Sequence, residues 1–133
     1  MSNQNDLLSL VGRVLLALMF LIGGVDKIMG LEGTMKYMQA NAVPMTSIAI
    51  YVAIVIEIGM GLLLVAGFKT RWAAAVLIVF IVAAEYFFHQ YWNLEGQPRG
   101  MQRIFFYKNL AVIGGMMMLI VAGPGRYSID ARR

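Results

Sequence analysis

No cysteine occurs among the 133 residues, so the chain holds no disulfide, thiol nucleophile or thiolate metal ligand of its own. Sulfur or electron-transfer chemistry would have to come from a partner or a bound cofactor. There is a single histidine, and only three prolines interrupt the chain. Charge is scarce too: Asp, Glu, Lys and Arg make up 14% of the residues, where a soluble domain carries about 25%. The net charge of +4 is spread over connections and tail. No basic run or aromatic ladder is present, and nucleic acid is not an expected partner.

What fills the chain instead is apolar: 60% of its residues are hydrophobic and the mean hydropathy is +0.73. One small core cannot hide that excess, so the lipid bilayer is the expected surrounding. Four apolar runs stand out, at 7–28, 48–68, 72–92 and 104–123. Each is close to the ~20 residues that cross a hydrocarbon layer of about 30 Å. The fold expected is all-α, an integral membrane four-helix bundle with short connections, forming a single domain over 1–133. Residues 34–40 are expected to form a short interfacial helix between the first two spans. Gly96, Pro98 and Gly100 are expected to keep the connection at 93–103 out of helix. The first run has neither a basic leader nor a small-residue cleavage site, so it reads as a retained helix. Arg13, Ala17, Phe20 and Gly24 fall on one face of it, where a neighbour can approach closely. The eleven methionines lack a repeated ligand spacing and read as adaptable apolar filling.

With four spans, both termini and the turn at 69–71 share one side. That side holds Lys69, Arg71, Arg126, Arg132 and Arg133, with Arg13 near its edge. The other holds Lys27, Lys36, Arg99 and Arg103. The bias places both termini in the cytoplasm.

Ionisable groups inside the apolar runs are costly and mark sites. At a rise of about 1.5 Å per residue, Glu57 lies about 13 Å below the outer surface, Glu85 about 10 Å, and Lys108 about 6 Å. His89 is one turn shallower than Glu85 on the same helix face, and Asp26 and Lys27 end the first span at that side. Groups from four helices therefore share one layer in the outer half of the bilayer. Three arrangements suit them: buried ion pairs among Glu57, Glu85 and Lys108 that lock the bundle; a polar pocket that binds a small molecule; or a metal held by Glu57, Glu85 and His89. A lysine at the same depth disfavours the metal. Arg13, near the opposite surface, can snorkel.

Several features, in order, carry a resemblance. Gly12-Arg13 opens the first span and Gly23-Gly24 with Lys27 closes it. Tyr37-Met38 precedes Pro44, Glu57 is followed by Gly67, and Arg71 opens the third span. Phe88-His89, Lys108-Asn109, Gly123-Pro124-Gly125 and Ser128-Ile129-Asp130 complete the set. The chain resembles the DoxX family over nearly its whole length. That resemblance implies a four-helix bundle in the bacterial inner membrane, with some relatives serving as subunits of quinone-linked oxidation systems. The family's polar pattern falls on Arg13, Lys27, Glu57, His89, Lys108 and Asn109; Glu85 rests on its depth alone.

The function expected is therefore a redox-associated membrane subunit binding a quinone or similar small molecule. In it His89, Glu85 and Glu57 carry the chemistry and Arg13, Lys27, Lys108 and Asn109 bind the ligand. A partner oxidoreductase subunit would supply electrons, and a homo-oligomer is compatible with the sequence. A scaffold or small-molecule transporter, with buried charges that set packing or gate a path, is the alternative.

Overall fold

A computed structural model describes residues 3–132; Met1, Ser2 and Arg133, the last of them counted among the tail's positive charges, lie outside it. Five α-helices follow one another: α1 (Asn3–Met29), α2 (Leu31–Ala40), α3 (Thr46–Ala66), α4 (Thr70–Phe88) and α5 (Gly96–Ala122). Short 3₁₀ turns stand at Tyr91–Asn93 and Asp130–Arg132. Among the described residues there is no strand. The four long helices are each apolar and long enough to cross a membrane. Their outward faces carry bare side chains such as Leu15, Val55, Val79 and Val121, 62–79% exposed, a surface that suits lipid and not water.

Helix α1 lies along α3, α3 along α4, and α4 along α5, with α1 and α5 touching over a shorter stretch. Ala17, Phe20, Leu64, Ala73, Ala74, Leu77, Ile81, Met116 and Leu119 form the core. Lipid tails are as apolar as these side chains, so association depends on close packing and polar contacts. The buried face of α1 is Asp6, Arg13, Ala17, Phe20 and Gly24, which contains the face expected from spacing. A Cβ on Gly24 would stand 2.5 Å from Ile58 Cγ1, and one on Gly61 would stand 2.8 Å from Leu21 Cδ2. Glycine at both positions is what lets α1 and α3 approach.

The termini end of the bundle is tied by the tail. Buried Arg13 donates from Nε to the Leu64 carbonyl (2.5 Å) and from Nη2 to Val65 (3.1 Å) and Tyr127 (2.8 Å), and Nη1 bonds the Pro124 carbonyl. The last carbonyls of a helix have no partner within it, so Arg13 closes α3 while holding the tail. Asp130 returns across the same end and accepts from the Lys69 and Thr70 amides (2.8 and 2.9 Å) and from Thr70 Oγ1 (2.8 Å). That is the cap at the start of α4, supplied from sixty residues later in the chain.

Beside shifts of up to four residues at the ends of α1 and α3, three boundaries that differ from the sequence expectation bear on the site. Helix α2 begins at Leu31, ahead of 34. Helix α4 stops at Phe88, before 92, and His89 sits at its C-cap with φ −125° and ψ 33°. Helix α5 begins at Gly96, well before Ile104. Pro98 falls in its first turn, where a missing N–H costs no helical bond, so the breakers mark a helix start and not a non-helical link.

Candidate functional site

Helix periodicity decides which polar groups face inward. The buried face of α3 runs Thr46, Ile50, Ala53, Glu57, Gly61 and Leu64; that of α4 runs Thr70, Ala73, Ala74, Leu77, Ile81 and Glu85. Steps of three and four carry each carboxylate into the bundle on an otherwise apolar stripe. Lys27, in the last turn of α1, meets Glu57 there: its Nζ lies 2.9 Å from Oε2 and 3.1 Å from Oε1. Their side chains are 24% and 8% exposed, so the pair is largely shielded. Gly23, one turn before Lys27, leaves room for the carboxylate, since a Cβ there would sit 3.1 Å from Glu57 Oε1.

Glu85 has a different partner. Its Oε1 accepts from Asn109 Nδ2 of α5 at 2.5 Å. Its Oε2 is buried and accepts no hydrogen bond among the described residues. His89, at the end of α4, places Nδ1 2.6 Å from Gln102 Oε1 on α5, and its ring tilts against Phe105 at 5.8 Å between centroids. Tyr37 of α2 stacks on Phe88 at 5.3 Å and 16°, tying the short helix to the end of α4.

Between these groups lies a cavity of about 540 Å³ at the end of the bundle away from the termini. Lys27, Glu57, His89 and Asn109 line it together with Thr34, Tyr37, Phe20, Ile81, Phe87 and Phe88. Most of its wall is apolar or aromatic, with a few convergent polar groups, the ordinary make-up of a small-molecule site. It reaches the outside where Tyr37 and Val52 are each half exposed.

Four of the seven expected site residues thus meet at one cavity: Lys27, Glu57, His89 and Asn109. Glu85 stands behind Asn109 and does not line the wall. Lys108 is exposed on the outer face of α5, its Nζ 5.3 Å above the Phe105 ring. It therefore forms none of the ion pairs expected of it; inward-facing Asn109 is the next residue, about 100° round the helix. Arg13 is buried at the opposite end among backbone carbonyls, with its guanidinium drawn inward and not toward the surface. Glu57, Glu85 and His89 do not converge as a metal site, and no other three His, Asp or Glu side chains among the described residues do.

Gln102 was not among the expected residues, yet it holds the only histidine. The signal was available: Gln102, Asn109 and Met116 recur every seven residues, two helical turns. Drawing the fourth span from 104 excluded it. Gly23 was read as a span exit, whereas its space belongs to Glu57.

The comparisons agree with this architecture. A family model described as DoxX matches residues 8–90. An Escherichia coli K12 protein named Inner membrane protein YphA is 36% identical over 125 residues, covering 94% of this chain and 89% of the relative. A second from the same organism, Inner membrane protein YqjF, is 35% identical over 130 residues, 98% of this chain and 95% of its own. A Surfeit locus protein 4 homolog of Schizosaccharomyces pombe is 29% identical over 98% of this chain, which spans 39% of that longer protein. No solved structure matches. On the family match and these relatives, the chain belongs to the DoxX family, as a four-span membrane protein.

Proposed function

We propose that this protein is a redox-associated inner-membrane subunit that binds a quinone or a similar flat, apolar ring molecule in the cavity between Lys27–Glu57 and His89–Asn109. The observation that carries the reading is the cavity itself. A volume of about 540 Å³ takes a ring system, its aromatic wall suits a π-face, and its polar groups stand where ring oxygens need partners. Lys27 replaces Lys108 as the cation of the site. Its ammonium donates to an oxygen at the α1–α3 wall while Glu57 holds it in place. Glu57 is also the carboxylate positioned to exchange a proton with a ligand there.

Reducing a quinone to its hydroquinone takes two electrons and two protons. In this reading a partner oxidoreductase subunit supplies the electrons, and this chain contributes binding, orientation and a proton path. Both E. coli relatives are named inner membrane proteins, and the lysine and arginine bias supports a topology with both termini in the cytoplasm, which would put the cavity in the outer half of the bilayer. A bundle whose buried charges serve packing alone has no use for a cavity of this size, which is why binding is preferred over a scaffold. The test is chemical: the lipid extract of protein purified in mild detergent should contain a quinone in near-stoichiometric amount. An extract with only phospholipid, repeated from membranes rich in quinone, contradicts the reading.

A further inference from the structure

The cavity has a polarity that two residues outside it impose, and this deepens the binding reading on which it rests. Asn109 gives Nδ2 to Glu85 Oε1. With Glu85 as a carboxylate that oxygen only accepts, so the carboxamide is held with nitrogen toward Glu85 and its oxygen turned away. The Asn109 oxygen has no hydrogen-bond partner among the described residues, and Asn109 lines the cavity. His89 is held in the same manner. Its Nδ1 faces Gln102 Oε1 at 2.6 Å, and a carboxamide oxygen carries no proton, so Nδ1 donates. In the neutral ring the second nitrogen, Nε2, is then an acceptor.

The geometry points to a cavity whose α4–α5 wall is an acceptor wall, set by Glu85 and Gln102 acting through Asn109 and His89. A ligand that fits must turn a hydroxyl toward that wall while an oxygen acceptor meets Lys27 on the other. The preferred class is a hydroxylated ring, such as a hydroquinone, phenol or hydroxyquinone, over a ring bearing carbonyls or ethers alone. Glu85 and Gln102 are positioning residues: neither needs to touch the ligand. Glu85 is 8% exposed and spends one oxygen on Asn109, which otherwise has no evident reason to face a buried carboxylate.

Two redox-inert probes of nearly equal shape test this: 1-naphthol, which donates, and 1-methoxynaphthalene, which cannot. Binding is measured on the full chain in nanodiscs. The wild-type protein should bind the naphthol up to about tenfold more tightly, the scale of one neutral hydrogen bond. Glu85→Gln can donate to the Asn109 oxygen, so the carboxamide can reverse and show its nitrogen to the cavity. The naphthol preference should then fall to about twofold or less, and an acceptor probe, 1-naphthaldehyde, should gain. A merely structural role for Glu85 weakens all three probes together and overturns the inference. Where Glu85→Gln does not fold, the wild-type probe pair decides, with Asn109→Leu expected to remove most of the preference. Equal binding of naphthol and ether by the wild type overturns the acceptor wall while leaving the cavity a binding site. Failure of both probes to bind overturns the binding reading and this inference together.

Discussion

Lys27 Nζ lies within 3.1 Å of both oxygens of Glu57, so a charge from the last turn of α1 is neutralised by one in the middle of α3. Removing one partner of a shielded pair leaves a charge that neither lipid nor apolar side chains solvate. Lys27→Met or Glu57→Gln alone should therefore destabilise the bundle by about 3 kcal/mol, toward the low end for buried pairs because Lys27 is partly exposed. The double change Lys27→Met with Glu57→Gln should recover most of the loss. Lys108→Met, on the outer face, should shift stability by no more than about 0.5 kcal/mol. Unfolding of each variant in detergent reads these differences, and a large loss from Lys108→Met speaks against the pairing.

Gly23 and Gly24 perform separate tasks, and adjacent alanine substitutions should separate them. Gly24→Ala drives a methyl to 2.5 Å from Ile58 and should cost about 1–3 kcal/mol of stability. Gly23→Ala meets Glu57 Oε1 at 3.1 Å. It should cost less stability but weaken ligand binding, since the carboxylate must turn to make room. Equal effects of the two on both readouts contradict the division.

At the far end of the bundle, Arg13 gathers carbonyls of α3 and of the tail. Arg13→Met should release residues 123–132, seen as fast amide exchange and new protease cleavage there, with a stability loss of at least about 3 kcal/mol. Arg13→Lys, one donor group in place of a fork, should rescue only part of it. Ligand affinity of the folded fraction should remain within about twofold, because the cavity lies at the opposite end; a specific loss of binding would return Arg13 to the ligand site.

Topology is testable without purification. A reporter active only outside the cytoplasm should be silent when fused after Arg133 and active when inserted near Gly96. The reverse pattern would invert the orientation and open the cavity to the cytoplasmic side.

Much of this architecture was legible in the sequence, and the reasons are particular. Four apolar runs and the face Arg13–Ala17–Phe20–Gly24 follow from period and from the cost of charge in lipid, which do not depend on tertiary detail. The layer shared by Lys27, Glu57 and His89 followed from helical rise, whereas Asn109 was indicated only by the family resemblance. Depth says nothing about azimuth, however, and so Lys108 was grouped with residues from which its helix turns it away. Glu85 was assigned to the site by depth and faces inward, yet a second residue, Asn109, stands between it and the cavity. The Arg13 cluster was out of reach for another reason: its acceptors are backbone carbonyls of α3 and the tail, which no side-chain pattern displays.

The cavity is the centre of the functional reading, and filling it tests that reading most directly. Ala53 is 8% exposed and lines the cavity, so Ala53→Trp should occupy the space that a ring ligand needs. Titration of a short-chain hydroquinone, kept reduced, into wild-type and Ala53→Trp protein in nanodiscs, each confirmed as folded, should give saturable binding to the first. The same titration should show at least a tenfold loss in the second. Saturable binding of equal strength to both, or none to the wild type, would contradict a ligand site between Lys27–Glu57 and His89–Asn109.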